Sequence, residues 1–217
     1  MKVWDLPTRL FHWSIVLLVG FSWWSAETGQ MDWHYKSGLT ALILLVFRIL
    51  WGFVGGSTAR FAQFLKSPMA AAAYLRRPKD APKQGGHNPL GGYSVIAMLL
   101  ALIVQVGTGL FAVDIDGIES GPLSYLVDFD QGRVAAEVHH LAFTVVQILV
   151  VLHLVAIAYY RLRGRRLIVP MITGRDRQLT SGAEVLTGGG ALRAVIVLAI
   201  ALGLGWWVSL GAPLGGS

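Results

Sequence analysis

The chain of 217 residues contains no cysteine. This absence excludes disulfides, thiolate zinc sites, iron–sulfur clusters and covalently attached c-type haem, which all need sulfur ligands from the chain. Charged residues are also scarce, at 14%, whereas soluble domains carry about 25%. Hydrophobic residues make up 54% of the sequence. The composition is therefore typical of an integral membrane protein.

Five apolar segments are candidates for membrane-spanning helices, each of which needs roughly 20 mostly apolar residues. They cover residues 10–25, 37–54, 93–113, 138–160 and 192–210, and the first is short. We therefore predict an all-α integral membrane protein, with a four-helix transmembrane bundle followed by a fifth, C-terminal transmembrane helix.

Lysine and arginine predict the orientation, because positively charged residues stay on the cytoplasmic side of a membrane. They concentrate at the amino terminus and in the loops after the second and fourth segments, whereas the opposite loops are mostly acidic. We expect a cytoplasmic amino terminus and an external carboxyl terminus. The same distribution argues against nucleic acid as a partner, since the net charge of +6 belongs to membrane-flanking positions. These positions are Lys2, Arg9, Arg60, Lys66, Arg76, Arg77, Lys79, Lys83, Arg161, Arg163, Arg165, Arg166, Arg175 and Arg177.

The first segment also fits a cleavable signal peptide that ends near Ser25 and Ala26. Its removal would leave four spans and would take away His12, which the site described next requires. We therefore favour a first helix that is retained.

Histidines in or beside the predicted spans are candidates for function, because ionisable side chains inside a membrane are costly. His139 and His153 are 14 positions apart in the fourth segment. At 3.6 residues per turn they point within about 40° of each other and are separated by about 21 Å of helix rise. His140 lies about 140° from His153 around the helix. We expect His140 to point elsewhere, as a surface residue.

Topology pairs these histidines with two others at matching depths. His12, near the cytoplasmic face, is expected at the level of His153, and His34, near the external face, at the level of His139. Haem iron takes an axial nitrogen from each side, and the flat macrocycle fits between helices of a bundle. We therefore predict a haem-binding bundle with two non-covalent, bis-histidine haems b. A single membrane histidine, by contrast, often only hydrogen-bonds a neighbouring helix.

Residues beside these histidines fit the same site less specifically. Gly20, Gly38 and Gly109 lack side chains where a porphyrin edge needs room, although glycine in membrane helices also simply allows close packing. Arg9 and Lys36 are candidates to neutralise haem propionates, although both positions also suit ordinary interfacial positive residues. The sequence leaves both alternatives open.

His87 lies in the predicted cytoplasmic loop before the third apolar segment. Because it is outside the predicted spans, we expect it to be solvated or to cap the following helix. We assign it no ligand role.

Several short motifs resemble the bacterial cytochrome b561 family, which includes the b-type cytochrome subunits of nickel–iron hydrogenases. They are Arg-Leu-Phe-His-Trp at 9–13, His-Tyr-Lys-Ser-Gly at 34–38, Gly-His-Asn-Pro at 86–89, Thr-Gly-Leu at 108–110 and Met-Ile-Thr-Gly-Arg at 171–175. Together with the spacing of His139 and His153, they cover about residues 1–175. The resemblance predicts a di-haem cytochrome b transmembrane domain over 1–175 and, over 176–217, a linker with an additional helix.

The resemblance implies a function in electron transfer, as a redox subunit with no catalytic residue of its own. Electrons would pass between a periplasmic partner, such as a c-type cytochrome or a hydrogenase-like dehydrogenase subunit, and the quinone pool of ubiquinone or menaquinone. By motif match the haem ligands are His12, His34, His139 and His153. The fifth helix departs from the part that matches, so it leaves the partner open.

Two other functions are compatible with the sequence. One is a stand-alone quinone reductase that takes electrons from a small diffusible reductant. The other is a metal-ion transporter with histidine ligands. The transporter is disfavoured because the predicted pairs lie near opposite membrane faces and the interiors of the predicted spans contain no aspartate or glutamate.

Overall fold

The computed structural model describes residues 1–76, 86–179 and 186–213, except for the side chain of Leu75. These ranges are helical and contain no strand, only isolated β-bridges between Lys2 and Arg175 and between Val113 and Ser120. The basic positions Arg77, Lys79 and Lys83 lie outside the described residues. The helices are α1 (Leu6–Glu27), α2 (Met31–Val54), α3 (Phe61–Phe64), α4 (Pro68–Arg76), α5 (Pro89–Gly109), α6 (Phe129–Leu162), α7 (Ile168–Thr173) and α8 (Ala191–Ser209).

Among the described residues, four helices are long and apolar enough to cross a membrane, namely α2, α5, α6 and α8. The chain is therefore a multi-pass membrane protein. The helix α1 has 22 residues but is not one of the four. Its tryptophans and serines, together with Arg9 and His12, lower its hydropathy. A membrane-spanning α1 stays a prediction.

Two helices end or begin at places that differ from the predicted spans. The helix α5 ends at Gly109 rather than at residue 113, because the next residues form hydrogen bonds with a returning segment. The amide of Gly121 donates to the carbonyl of Ala112, and that of Leu123 donates to Leu110. The helix α6 begins at Phe129 rather than at residue 138. The predicted span 93–113 therefore extends beyond the end of α5, whereas the predicted span 138–160 lies inside the longer helix α6.

The chain divides into two compact units. The first unit comprises Met1–His12, Arg48–Met98 and Leu149–Val197, and the second comprises Trp13–Phe47, Leu99–Ile148 and Leu198–Ser217. Each unit takes residues from α1, α2, α5, α6 and α8. Each unit therefore has its own core and its own candidate site residues.

In the first unit, the amino-terminal segment is fixed against the chain that follows α7. The amide of Val3 donates to the carbonyl of Gly174 at 2.9 Å, and the ammonium of Met1 donates to the backbone carbonyl of Asp176 at 2.7 Å. The buried Asp5 caps α1 by accepting from the amide of Thr8 at 2.8 Å. These bonds fix where α1 begins, and with it the position of His12.

A polar cluster in the same unit fixes the beginning of α5. The Oδ1 atom of Asn88 accepts from the amide of Gly91 at 2.7 Å, and its Nδ2 donates to the Tyr160 hydroxyl at 2.8 Å. The Tyr160 hydroxyl in turn lies 3.1 Å from that of Tyr74 on α4. Burial and this hydrogen bond raise the pKa of Tyr74 to about 12. Asn88 therefore joins α4, α5 and α6.

The core of the second unit packs α8 against α2. Leu123, Val208 and Ala212 are buried together, and Leu39 and Leu42 of α2 pack on them. Gly205 of α8 faces Ile43 so closely that a Cβ atom at this position would overlap the isoleucine side chain. The predicted C-terminal helix is thus present as α8 and packs on α2.

Candidate functional site

The second unit brings His34 of α2 and His139 of α6 together. Their ring centroids are 6.0 Å apart and their planes meet at 86°. A metal ion with an imidazole on each side holds the ring centroids roughly 6 Å apart, because each metal–nitrogen bond is about 2 Å long and the centroid lies about 1 Å further. The spacing of these two rings fits a single metal ion between them.

Hydrogen bonds orient both imidazoles in the way that metal-ligating histidines are oriented. The Nδ1 atom of His34 lies 2.9 Å from the Ser22 carbonyl on α1, and that of His139 lies 2.7 Å from the Gln105 carbonyl on α5. A neutral imidazole that donates through Nδ1 carries its lone pair on Nε2, the nitrogen free to ligate a metal. The Gln105 amide nitrogen lies 2.9 Å from Nε2 of His139, so it donates to the lone pair there and is the group that a metal ion would displace.

The first unit contains the other two predicted ligands. His12 of α1 and His153 of α6 interact electrostatically, and both also act on His87. Both predicted ligands are only partly exposed. His87 is therefore a third imidazole in this unit, beside the two that the sequence predicted as ligands.

His87 is partly buried, and it does not cap α5. Its Nδ1 is shielded from solvent and has no hydrogen-bond partner among the described residues. Its ring centroid lies 4.7 Å from that of Trp4 and 4.8 Å from that of Phe64. Burial, reinforced by the charges of Arg48, His153 and His12, lowers the pKa of His87 to about 3. The imidazole is therefore neutral at physiological pH, and Asn88 caps α5 instead.

The surface of α6 carries one stripe of less exposed residues. Beside this stripe, apolar side chains such as those of Leu141, Leu152 and Leu154 are exposed. Both predicted ligands of α6 belong to the stripe, whereas His140 is exposed. The stripe consists of His139, Ala142, Val146, Leu149 and His153, at alternating spacings of three and four residues.

The three glycines singled out from the sequence have different surroundings. A Cβ atom at Gly109 would lie 2.9 Å from Cε1 of His139, so this glycine makes room for the histidine ring. At Gly20 and Gly38, a Cβ atom would have no described atom within 4 Å. Gly20 is exposed and Gly38 is partly buried. A porphyrin edge beside these two positions stays a prediction.

The two predicted propionate partners also differ. The guanidinium of Arg9 donates to the Ile172 carbonyl, and its shielded Nε has no hydrogen-bond partner among the described residues. Lys36 is exposed, and its ammonium lies 5.0 Å from the ring centroid of Trp33. The aromatic contact already accounts for the position of Lys36. A propionate role stays a prediction for both residues.

Sequence reasoning missed two polar residues inside apolar helices. Arg48 of α2 is 3% exposed, and its guanidinium lies 5.0 Å from the ring centroid of Phe61. Gln105 of α5 contacts His139 through both its backbone carbonyl and its amide. The rule that singled out the histidines, that polar groups within a span indicate function, also applied to these two residues.

The donor set suits haem iron. Among the described residues, no three histidine or carboxylate side chains gather to hold a metal ion. A structural or catalytic zinc site takes at least three protein ligands, whereas haem iron needs only axial ones. A pair of imidazoles about 6 Å apart, presented from two helices, therefore fits a b-type haem.

Comparison with known proteins agrees with this chemistry. The family model described as prokaryotic cytochrome b561 matches residues 3–174, which is well over half of the chain. No curated protein and no solved structure matches the chain. The chain therefore belongs to the prokaryotic cytochrome b561 family, whose members are haem-binding, b-type membrane cytochromes that transfer electrons.

Proposed function

We propose that this cytochrome carries electrons through the membrane on two haems b. His12 and His153 ligate one haem, and His34 and His139 ligate the other. The observation that supports this most strongly is the 6.0 Å spacing of the His34 and His139 rings. When bound, each haem supplies an iron that accepts and releases one electron.

The chain's own residues then hold the imidazoles and exclude competing ligands. The carbonyls of Ser22 and Gln105 keep Nδ1 of each ring occupied, so that only Nε2 ligates iron. Histidines on both sides would leave the iron without an open position, so haems held by these residues would exchange electrons rather than bind oxygen. The helix α6 supplies one ligand to each haem, from positions 14 residues apart.

We further propose the membrane topology and the partners of this cytochrome. The chain spans a bacterial inner membrane through α1, α2, α5, α6 and α8, with its amino terminus in the cytoplasm. The cytochrome domain is 1–175, and 176–217 is a linker with an added helix. The partners are the quinone pool and a periplasmic redox protein, either a c-type cytochrome or a dehydrogenase or hydrogenase subunit. The acidic external loops favour a partner with a positive surface, because opposite fields accelerate encounter.

The test is oxidation of the reduced haems by quinone. Purified protein in liposomes is reduced with dithionite, the excess is removed, and ubiquinone and menaquinone analogues are mixed in while the haem absorbance is followed. We expect complete reoxidation by at least one quinone, and reoxidation of only the remaining haem in His139→Ala. His140→Ala is the matched control, because His140 is the exposed neighbour on the same helix.

Haems that stay reduced with both quinones would contradict a quinone-linked function. A preparation that reduces quinone rapidly with a small donor alone would instead indicate the stand-alone reductase. Strict dependence on a co-purifying protein would indicate the redox subunit.

A further inference from the structure

Arg48 is a buried cation whose hydrogen bonding is incomplete. Its side chain is 3% exposed within the apolar helix α2, and its shielded Nη1 has no hydrogen-bond partner among the described residues. An unpaired buried charge is expensive, and native proteins usually pair it. We therefore expect a hydrogen-bond acceptor beside Nη1 of Arg48.

The nearby carboxylate of Asp5 is already engaged. Asp5 interacts electrostatically with Arg48, but its oxygens accept from other donors. They receive hydrogen bonds from the amide of Thr8 at 2.8 Å, the indole of Trp51 at 3.1 Å and the amide of Gly56 at 3.3 Å. Asp5 thus balances charge without satisfying Nη1 of Arg48.

The same unit contains a second buried polar atom that lacks a hydrogen-bond partner among the described residues, the Nδ1 atom of His87. Its ring is held between Trp4 and Phe64. Two aromatic rings connect His87 to Arg48. The Arg48 guanidinium lies 5.0 Å from the ring centroid of Phe61, which is 5.8 Å from that of Phe64, and Phe64 is 4.8 Å from the ring of His87. A neutral imidazole donates one N–H, so Arg48 and His87 both offer donors.

We propose that Arg48 and His87 bind a carboxylate, namely a propionate of the haem that His12 and His153 ligate. This inference rests on the proposed function. A carboxylate matches a guanidinium in charge and geometry and also accepts from a neutral imidazole. A quinone carbonyl is a neutral acceptor, and it pairs with a guanidinium less strongly than a carboxylate does. A lipid headgroup would have to reach a side chain that is 3% exposed.

The proposal extends the predictions made from the sequence. Arg9 and Lys36 were the residues expected to contact propionates, but Lys36 is exposed over Trp33. Arg48 is buried in the same unit as His12 and His153, and its charge acts on the ligated iron with less screening. It therefore contributes to the reduction potential as well as to haem binding.

The experiment combines redox titration with infrared difference spectroscopy on protein that carries haem labelled with carbon-13 at the propionate carboxyls. The variants are Arg48→Gln, Arg48→Lys and His87→Gln, and the control is Arg161→Gln, which removes a charge from an exposed arginine near the end of α6. A charge about 10 Å away at an effective dielectric of about 20 changes an equilibrium by on the order of tenfold.

In Arg48→Gln we expect the ratio of reduced to oxidised form of one haem to fall by on the order of tenfold, which is 59 mV for one electron. The labelled carboxylate band should shift in this variant and recover in part in Arg48→Lys. His87→Gln should shift the same band, and Arg161→Gln should leave it unchanged. The Lys and His87 variants keep the test valid if Arg48→Gln does not fold.

A labelled band and two potentials that Arg48→Gln leaves as in Arg161→Gln would overturn the proposal. A shifted band without the isotope effect would also overturn it, since the carboxylate would then come from Asp5 or another source. Wild-type protein that binds no haem would instead refute the proposed function, so the two failures are distinguishable.

Discussion

Two backbone carbonyls govern how the histidine pair of the second unit is presented. Ser22 and Gln105 lie inside helices, yet each carbonyl also lies within hydrogen-bond distance of a histidine Nδ1 on a neighbouring helix. Backbone atoms cannot be removed by substitution. Substitution can instead change the space around the His139 ring. Gly109 leaves the room in which this ring reaches the Gln105 carbonyl.

Gly109→Ala should disturb one haem. The added Cβ would lie 2.9 Å from Cε1 and 3.0 Å from Nδ1 of His139, so the ring must move by a few tenths of an ångström. We expect one of two low-spin signals in electron paramagnetic resonance to shift, or about half of the haem to be lost. The control is Gly203→Ala on α8, where the Cβ would have no described atom within 4 Å. Equal spectra for the two variants would contradict this role of Gly109.

Capping residues decide where the helices that carry the site begin. At the start of α6, the Oδ1 atom of Asp128 accepts from the amide of Gln131, and the Gln131 side chain accepts from the amide of Asp128. This is a reciprocal capping box. The sequence contained the signal for the helix start in the spacing of these two residues, whereas hydropathy marks only the apolar part of the helix, from about residue 138.

Asn88→Ala should destabilise the protein by about 1–2 kcal/mol. It removes the cap of α5 and the hydrogen bonds from Nδ2 to the hydroxyls of Tyr160 and Tyr74. The measurement is unfolding in detergent, followed by circular dichroism. Asn88→Asp keeps the capping oxygen and loses the donor, so it should cost less than Asn88→Ala. Equal losses would mean that the cap contributes nothing measurable.

At the scale of the whole molecule, much of the architecture could be predicted because bilayer thickness sets the length of a spanning helix. Four of the five predicted spans correspond to helices that meet this criterion. The exception, α1, begins with Arg9 and His12 in its first turns, and these lower its hydropathy. Membership of the cytochrome b561 family was likewise predicted from short motifs and is confirmed by the match over residues 3–174.

The surroundings of the site residues could not be predicted, because they depend on tertiary packing between residues that are distant in the sequence. The environment of His87 follows from its contacts with Trp4 and Phe64, which are distant in the chain. Arg48 is an ionisable residue within a predicted span, but its burial and its contact with Phe61 depend on packing. Depth along the membrane predicted that His34 lies near His139, whereas their hydrogen bonds to Ser22 and Gln105 could not be anticipated.

The count of haems per chain tests the central claim most directly. A pyridine haemochrome assay on purified protein should give two haems b per chain, and His12→Ala and His34→Ala should each remove one. The double variant His34→Ala with His139→Ala should retain one haem, whereas His12→Ala with His34→Ala should retain none. One haem per chain in the wild type, or loss of both haems in the double variant of a single pair, would contradict two separately ligated haems.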